Sequence, residues 1–329
     1  MLHLRVISPP GRTEDVLRLL DEAVGVTNLV VLPGVARSPQ GDLIQFDVAR
    51  EAANEVIEHL QHLGLRTEGS IAAEQVDLSV SDAADRAEQE APGEGEDAVI
   101  WAEFARRVAA DCRLTWAFLT FLAIATQIAA IGVIVDSPIL IVGAMVLGPE
   151  FGAVAAICFG LLRRNGRLIG QALRALAVGF SLAIAITFAC ALVSRGLGWV
   201  TPASLSGHEE IEFIVKPDRW SFIVALLAGA AGVLSVTAGK SSALVGVFIS
   251  VTTVPAAGYF AVAASLARWG DMAASVAQLA VNIAGMIIAG TLTLFLQRAY
   301  WSRFGVRLPL PPRGNGRLGS RGHRNDRLT

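Results

Sequence analysis

The sequence has few cysteines, few lysines and no histidine in its long apolar stretches. Its three cysteines, Cys112, Cys158 and Cys190, are odd in number and form no CxxC pair, which argues against a disulfide framework or a cysteine zinc site. Only Lys216 and Lys240 are lysines, and every other basic residue is an arginine. There is also no HExxH and no GxSxG motif. We therefore predict a protein that is not an enzyme and that holds no metal and no cofactor.

The first residues, MLHLRVISPPGRTED, have neither the basic region nor the apolar region of a secretory signal peptide. We expect this part to stay in the cytoplasm and the first apolar segment to insert as an internal signal. The net charge of −2 gives no sign of a nucleic-acid partner, and we predict none.

Apolar residues are frequent but unevenly spread. They make up 53% of the chain, and the mean hydropathy of +0.54 is rarely reached by a soluble domain. The changes in composition predict four parts: a cytoplasmic domain (1–80), an acidic linker with an amphipathic helix (81–113), a membrane domain (114–298) and a basic, disordered cytoplasmic tail (299–329).

The first part, which we call the head, alternates strand and helix patterns. LHLRVIS (2–8) has the period of a strand and is followed by Pro-Pro-Gly, while EAANEVIEHLQHLG (51–64) has the period of an amphipathic helix. With a helix at 13–24, strands at 27–34 and 42–49, and a last strand within 65–80, the order is βαββαβ. This order predicts an α+β, ferredoxin-like domain. By analogy of fold alone, such a head serves for assembly or ligand sensing, and we expect a homo-oligomer.

The segment between head and membrane domain has two parts. Residues 81–97 carry seven acids and one arginine and also contain proline and glycine, which predicts a solvated linker. Residues 101–113 carry Trp101, Phe104 and Val108 on one helical face. We expect this helix to lie at the membrane interface or against a neighbouring head.

The membrane domain is predicted to cross the bilayer six times. A span needs about 20 apolar residues. The segments that meet this are 114–135, 139–162, 174–194, 220–238, 243–267 and 273–296. Most basic residues near their ends, such as Arg163, Arg164 and Arg298, fall on one side, which predicts both termini in the cytoplasm of a bacterial inner membrane.

The second and fifth spans resemble each other. DSPILIVGAMVLGPEFG (136–152) and KSSALVGVFISVTTVPAAG (240–258) each contain a mid-span proline, Pro149 or Pro255, shortly before Gly152 or Gly258. Since each half has three spans, the two halves must be inverted relative to each other. Broken spans in matching positions of inverted repeats point to a transport site near the bilayer midplane. The alternative is a pair of kinks that help the helices to pack.

The stretches 137–165, 242–265 and 282–295 resemble the bacterial family called domain of unknown function 389, or uncharacterised hydrophobic domain. They read SPILIVGAMVLGPEFGAVAAICFGLLRRN, SALVGVFISVTTVPAAGYFAVAAS and NIAGMIIAGTLTLF. Glu150 and Phe151 stand where the commoner family pattern has Leu-Met. The resemblance implies an integral membrane protein of transporter or channel type, with no established activity.

Glu150 is the one acid deep in a span, about 17 Å from its start at the rise of an α-helix. An ionised acid at this depth costs about 2.5–3.5 kcal/mol, and such groups mark transport pathways. Three roles stay open at this point: a proton carrier, a ligand for a cationic substrate or metal ion, or a structural acid that bonds freed carbonyl groups.

Polar residues on other spans are candidates to accompany Glu150, although hydrogen bonding between packed helices explains each of them equally well. The predicted pathway residues are Glu150, Gly148, Pro149, Gly152, Pro255, Thr252, Thr253, Asn282, Gln278 and Gln127. We predict a transporter- or channel-like protein that moves a small solute or ion past them, with proton coupling as one option. The alternative is a membrane-anchored ligand sensor or oligomeric scaffold without transport.

Overall fold

The computed structural model describes residues 1–76, 78–91, 93, 95, 98–201, 205, 219–239 and 252–303. It shows a small antiparallel sheet with helices, followed by a mostly helical body.

The head contains four antiparallel strands: β1 (Leu2–Ser8), β2 (Val26–Arg37), β3 (Gln40–Val48) and β4 (Ser70–Gln75). Their order in the sheet is β2-β3-β1-β4, so the first strand lies in the middle. Leu4 lies opposite Phe46 on β3 and Ala73 on β4. Leu4, Val6 and Phe46 are fully buried, as expected of alternate residues on the covered face of a sheet.

The helices of the head are α1 (Thr13–Glu22), α2 (Arg50–His62) and the short α3 (Leu65–Glu68), with a 3-10 turn at Pro10–Arg12. The predicted βαββαβ order is thus confirmed, with α3 as an addition. The apolar faces of α1 and α2 cover the sheet through Val16, Leu20, Val56 and Leu60.

The acidic segment after the sheet contains a helix that the sequence did not predict. This helix, α4 (Asp82–Glu90), begins where the Ser81 hydroxyl accepts a hydrogen bond from the Ala84 N–H. Two acids in its first turn interact favourably with the helix dipole, and Ala84 and Ala87 are buried. The sequence analysis predicted no helix here, and apart from these two alanines none of the residues of the helix is buried.

The amphipathic helix α5 (Trp101–Asp111) packs inside the molecule. Its apolar face contacts α8 (Glu150–Leu162): the Trp101 ring stacks on that of Phe159 with centroids 6.3 Å apart, and Phe104 meets Phe159 edge-on at 5.1 Å. The three apolar residues Trp101, Phe104 and Val108 are each at most 3% exposed. The apolar face of this helix is thus covered by the body of the same chain.

The remaining helices form what we call the membrane body. They are α6 (Trp116–Ile134), α7 (Pro138–Leu147), α8, α9 (Gly166–Gly196), α10 (Arg219–Thr237), α11 (Thr253–Ser265) and α12 (Trp269–Ser302). Within the described residues, α6, α9, α10 and α12 are long and apolar enough to cross a membrane, and the bent pair α7–α8 adds a fifth span if counted as one. The sixth predicted span (243–267) is described only from residue 252 onward, so the count of six is not confirmed.

The outer faces of the long helices are apolar. On α12, Ile288, Leu292, Phe295 and Leu296 are 55–58% exposed and share one face, since their spacing follows the helical period. A contiguous apolar surface of this kind is suited to lipid. The body is therefore that of a membrane protein.

Two short helices, α8 and α11, are buried almost throughout. Each has 13 residues and packs against both long helices, α9 and α12. Both short helices carry mostly apolar residues all round, which is the pattern of a helix enclosed by others.

The ends of α8 and α11 lie at opposite ends of the body. Helix α9 begins next to the end of α8 and, at 31 residues, runs about 46 Å to the end of α11, where the Arg195 guanidinium donates to the Ser265 carbonyl. Helix α12 runs the other way, from the end of α11 back toward α8. Its Arg298 lies close enough to Arg163 for the two charges to repel.

The head lies at the end of the body where α8 and α12 finish. The Trp301 ring near the end of α12 packs directly on Gly93, in the segment that follows the head. Gln297 donates to the Thr237 hydroxyl over 2.9 Å, which places the end of α10 there as well. The head and the end of α12 are consequently on one side of the body.

Candidate functional site

The span formed by α7 and α8 is broken at Gly148 and Pro149, where the two helix axes bend by 52°. Gly148 is extended, with φ −69° and ψ 123°, because a residue before proline is disfavoured in the helical region. Pro149 has no N–H to continue the hydrogen bonds of α7. The break that the sequence predicted at Pro149 is thus observed, and Glu150 becomes the first residue of α8.

The Glu150 side chain is buried at this break, with 4% of its surface exposed. Its Oε1 accepts a hydrogen bond of 2.6 Å from the hydroxyl of Thr253, the first residue of α11. Its Oε2 has no hydrogen-bond partner among the described residues. A Cβ atom on Gly148 would overlap Oε2, so this oxygen lies against the backbone at the break.

A second set of polar groups surrounds Thr252, which precedes α11. The side-chain amides of Gln278 and Asn282 both donate to its hydroxyl oxygen, over 3.0 and 2.6 Å. Both residues are on α12, one turn apart as predicted, and at most 2% exposed. The amide oxygen of Gln278 has no partner in the described part of the chain. We call Glu150, Thr252, Thr253, Gln278 and Asn282 the Glu150 centre.

The Glu150 centre lies near the middle of the body. The first residues of α8 and α11 meet at the Glu150–Thr253 hydrogen bond, and the two helices end at opposite sides. Each has 13 residues and is about 20 Å long, so the centre is about 20 Å from either end. This agrees with the depth that the position of Glu150 in its span predicted.

Five predicted pathway residues are not part of the centre: Gly148 and Pro149 form the break beside it, and the other three have different surroundings. Gly152 faces Asp111 at the end of α5, where a Cβ would clash, so it serves close packing of these helices. Pro255 is in the first turn of α11, where the missing N–H removes no helical hydrogen bond. Gln127 is half-buried on α6, and no described hydrogen bond joins it to the centre.

The turns that follow α8 and α11 are alike, and they align these two helices differently from the positions of the prolines. The turn after α8 is closed by a bond from Asn165 N–H to the Gly160 carbonyl (2.8 Å), and the turn after α11 by the same kind of bond from Arg268 to Ala263 (3.0 Å). If Asn165 is aligned with Arg268, the same number of residues back along each helix leads to Glu150 and to Thr253. In this alignment Pro149 pairs with Thr252 rather than with Pro255.

The electrostatics of the centre balance two effects on Glu150. Burial disfavours the ionised carboxylate, whereas a position in the first turn of α8 favours it through the helix dipole. The described residues include no cluster of three or more histidine, cysteine or acidic side chains that would hold a metal ion. The centre is thus one carboxyl group with hydroxyl and amide groups, a set that can hold a proton or a small cation.

A link between head and centre escaped the sequence analysis. The Asn54 side chain on α2 donates to the Val99 carbonyl over 2.7 Å and accepts from the Trp101 N–H over 3.0 Å. Trp101 stacks on Phe159 of α8, the helix that begins with Glu150. Nothing in the sequence distinguishes Asn54 from other polar residues of an amphipathic helix.

These apolar helices, and the broken span among them, make the chain a helical membrane protein with several spans. Residues 145–288 match the family model described as "Domain of unknown function (DUF389)", the same family that the chain resembles in the stretches named above. The match includes the whole Glu150 centre.

One similar relative is an uncharacterised protein of Methanocaldococcus jannaschii. It is 28% identical over 137 residues, which are 42% of this chain and 40% of the relative. The chain thus matches well under half of the relative's length. No solved structure matches this chain.

Proposed function

We propose that the protein is transporter- or channel-like and moves a small solute or ion through the Glu150 centre. The observation that carries this proposal is a buried carboxyl group with an unpartnered oxygen, placed at mid-depth where two short helices meet. Ionisable groups at this depth are costly and mark pathways. Helices broken at mid-membrane are also the usual place for such sites.

A purely structural role for Glu150 fits these contacts less well. A structural acid is expected to have both oxygens hydrogen-bonded, because a buried polar atom without a partner costs about 1–3 kcal/mol. Only Oε1 is bonded among the described residues. An oxygen kept without a protein partner supports a role in binding something that comes and goes.

We further propose that the body consists of two inverted three-span repeats. The α8–α9 and α11–α12 hairpins support this: each joins a buried 13-residue helix to a long one through the same kind of turn. Arg164 and Ala267 take the left-handed conformation at matching places, with φ of 52° and 56°. In this proposal α6 corresponds to α10, and six spans result.

The proposed setting is the inner membrane of a bacterium, with the lipid bilayer as solvent and both termini in the cytoplasm. The head would hold protomers together in a homo-oligomer, and the protein would carry out no chemical reaction. Support for a common side of head and α12 end comes from the packing of Trp301 on Gly93.

Proton flux in sealed proteoliposomes under an imposed potential tests the proposal first. A pH-sensitive dye would report flux for the wild type, for Glu150→Gln and for Glu103→Gln, an exposed acid on α5 that serves as the matched control. We expect flux in the wild type and the control, and its loss in Glu150→Gln. Measurable and equal flux in all three proteins would show that Glu150 is not part of the pathway.

A membrane-anchored sensor is the second candidate, because the head has a groove of its own. It encloses about 920 Å³ between α1 and α2, and its lining includes Arg18, Leu19, Glu55, Val56 and His59. Asn54 on the same α2 connects to α5 and so to the body. Ligand binding by the full-length protein without any flux across a bilayer would favour this candidate.

A further inference from the structure

We infer that the Glu150 centre binds a small monovalent metal cation and that Na⁺ is the ion that fits it. This inference rests on the proposed function for the location of the site, but it concerns binding, which can be measured without transport.

The first argument is that two acceptor oxygens of the centre receive no hydrogen bond from the described part of the chain. Oε2 of Glu150 and the amide oxygen of Gln278 are buried and have no partner among the described residues. Gln278 uses its donor group on the Thr252 hydroxyl, next to the residue that bonds Glu150. Oxygen atoms of carboxylate, amide and hydroxyl groups are the ligands that hard cations prefer.

The second argument is charge. Glu150 is the one acid of the centre, and no charged side chain among the described residues acts on it. A monovalent cation would bring the centre to neutrality, whereas a divalent one would leave an uncompensated buried positive charge. Such a charge is strongly unfavourable away from water.

The third argument is the backbone around Oε2. This oxygen lies against Gly148, directly after the end of α7. The last carbonyl groups of a helix have no partner within the helix, and they carry the negative end of its dipole. They favour a cation there, while the first turn of α8 favours the ionised form of Glu150 that would bind it. The close approach of the backbone selects a small ion.

Thermal unfolding of the purified full-length protein in detergent tests the inference. Choline would be replaced stepwise by Na⁺, Li⁺ or K⁺ at constant ionic strength and at pH 8. A ligand that binds only the folded state raises the melting temperature in proportion to the logarithm of its concentration above Kd. We expect this rise with Na⁺, a smaller one with K⁺ and none with choline.

Three variants make the test specific to the centre. Glu150→Gln should abolish the Na⁺-dependent rise. Thr253→Val should weaken apparent Na⁺ affinity by about tenfold or more, since it removes the charge-assisted hydrogen bond that holds the carboxylate in place. Thr187→Val, at a threonine of α9 that is 1% exposed, is the matched control and should keep the wild-type response. If Glu150→Gln does not fold, the comparison of Thr253→Val with Thr187→Val still tests the inference.

Equilibrium binding of radioactive Na⁺ to the same samples gives the second readout, with one ion per chain expected. No Na⁺-dependent rise and no bound tracer in the folded wild type would overturn the inference, as would a rise equally present in Glu150→Gln. Flux without any effect of Na⁺ would support the proposed transport function and contradict the inference of Na⁺ binding. Na⁺ binding without flux would support the inference and contradict the proposed transport function.

Discussion

Among single residues, Glu51 and Glu150 share one feature: each is buried with one carboxyl oxygen that has no hydrogen-bond partner among the described residues. Glu51 in the head is 4% exposed, and its Oε2 has no hydrogen-bond partner in the described part of the chain. Burial raises the pKa of Glu51, and the negative charge of Glu88 raises this pKa further. The ionised form is therefore disfavoured in the folded protein.

Replacing Glu51 by glutamine should stabilise the head at neutral pH. Because the folded-state pKa is raised, the wild type is relatively most stable at low pH and loses stability as pH rises through that pKa. We expect the free energy of unfolding of Glu51→Gln to exceed that of the wild type by about 1 kcal/mol at pH 8. This difference should vanish toward pH 4. Thermal unfolding at several pH values measures it. Glu55→Gln, exposed on the same helix, should show no such trend.

Two glycines near the end of α7 differ in what a methyl group would meet. On Gly148 it would overlap Oε2 of Glu150, whereas nothing lies within 4 Å of such a group on Gly143. Gly148→Ala should cost about 1–3 kcal/mol by overpacking and should abolish flux in proteoliposomes. Gly143→Ala should leave both nearly unchanged. A Gly148→Ala variant with normal stability and flux would contradict the observed position of the carboxyl group.

At the scale of elements, α5 is the connection between head and body. Its start is held by Asn54 and its apolar face by α8. The preceding residue, Ile100, is buried in the core of the head, while Trp101 belongs to the core of the body. A displacement of α2 would therefore reach α8, and with it Glu150, through packed side chains.

Asn54→Ala should loosen this connection. It leaves the Val99 carbonyl and the Trp101 N–H without a side-chain partner in a buried place, which costs about 1–3 kcal/mol. Limited proteolysis between α4 and α5 should become faster, and thermal unfolding should begin earlier. Glu55→Ala, at the neighbouring exposed position, is the control and should change neither rate nor onset.

At the scale of the whole molecule, the ends of the helices divide the body into two sides. The head, the end of α12 and the α8–α9 turn lie on one side, and the α6–α7 and α11–α12 turns on the other. This division follows from the lengths of α9 and α12, which connect the two sides in opposite directions.

Single cysteines labelled with a membrane-impermeant maleimide should report this division. In a background without the three native cysteines, Val135→Cys and Gly270→Cys should react in intact cells, and Glu22→Cys and Gly166→Cys only in inverted vesicles. These positions are exposed, and a side chain at either glycine meets nothing within 4 Å. Labelling of Val135→Cys and Gly166→Cys from the same side would refute the arrangement.

Patterns among near neighbours in the sequence were enough to predict most of the helices and strands and the presence of a buried acid. Periodicity predicted the βαββαβ order, run length predicted apolar spans, and Pro149 predicted the break, because each depends on interactions between near neighbours in the chain. The family resemblance, too, was visible in the residues around that break.

The contacts of Glu150 depend on tertiary packing and could not be predicted from the sequence. Its partner Thr253 is 103 positions away, and the alignment of both helix starts depends on where two tight turns place them. The helix in the acidic linker and the packing of α5 on α8 were likewise unforeseen. Local patterns show which face of a helix is apolar, but not which other face covers it, since that depends on the packing of the whole chain.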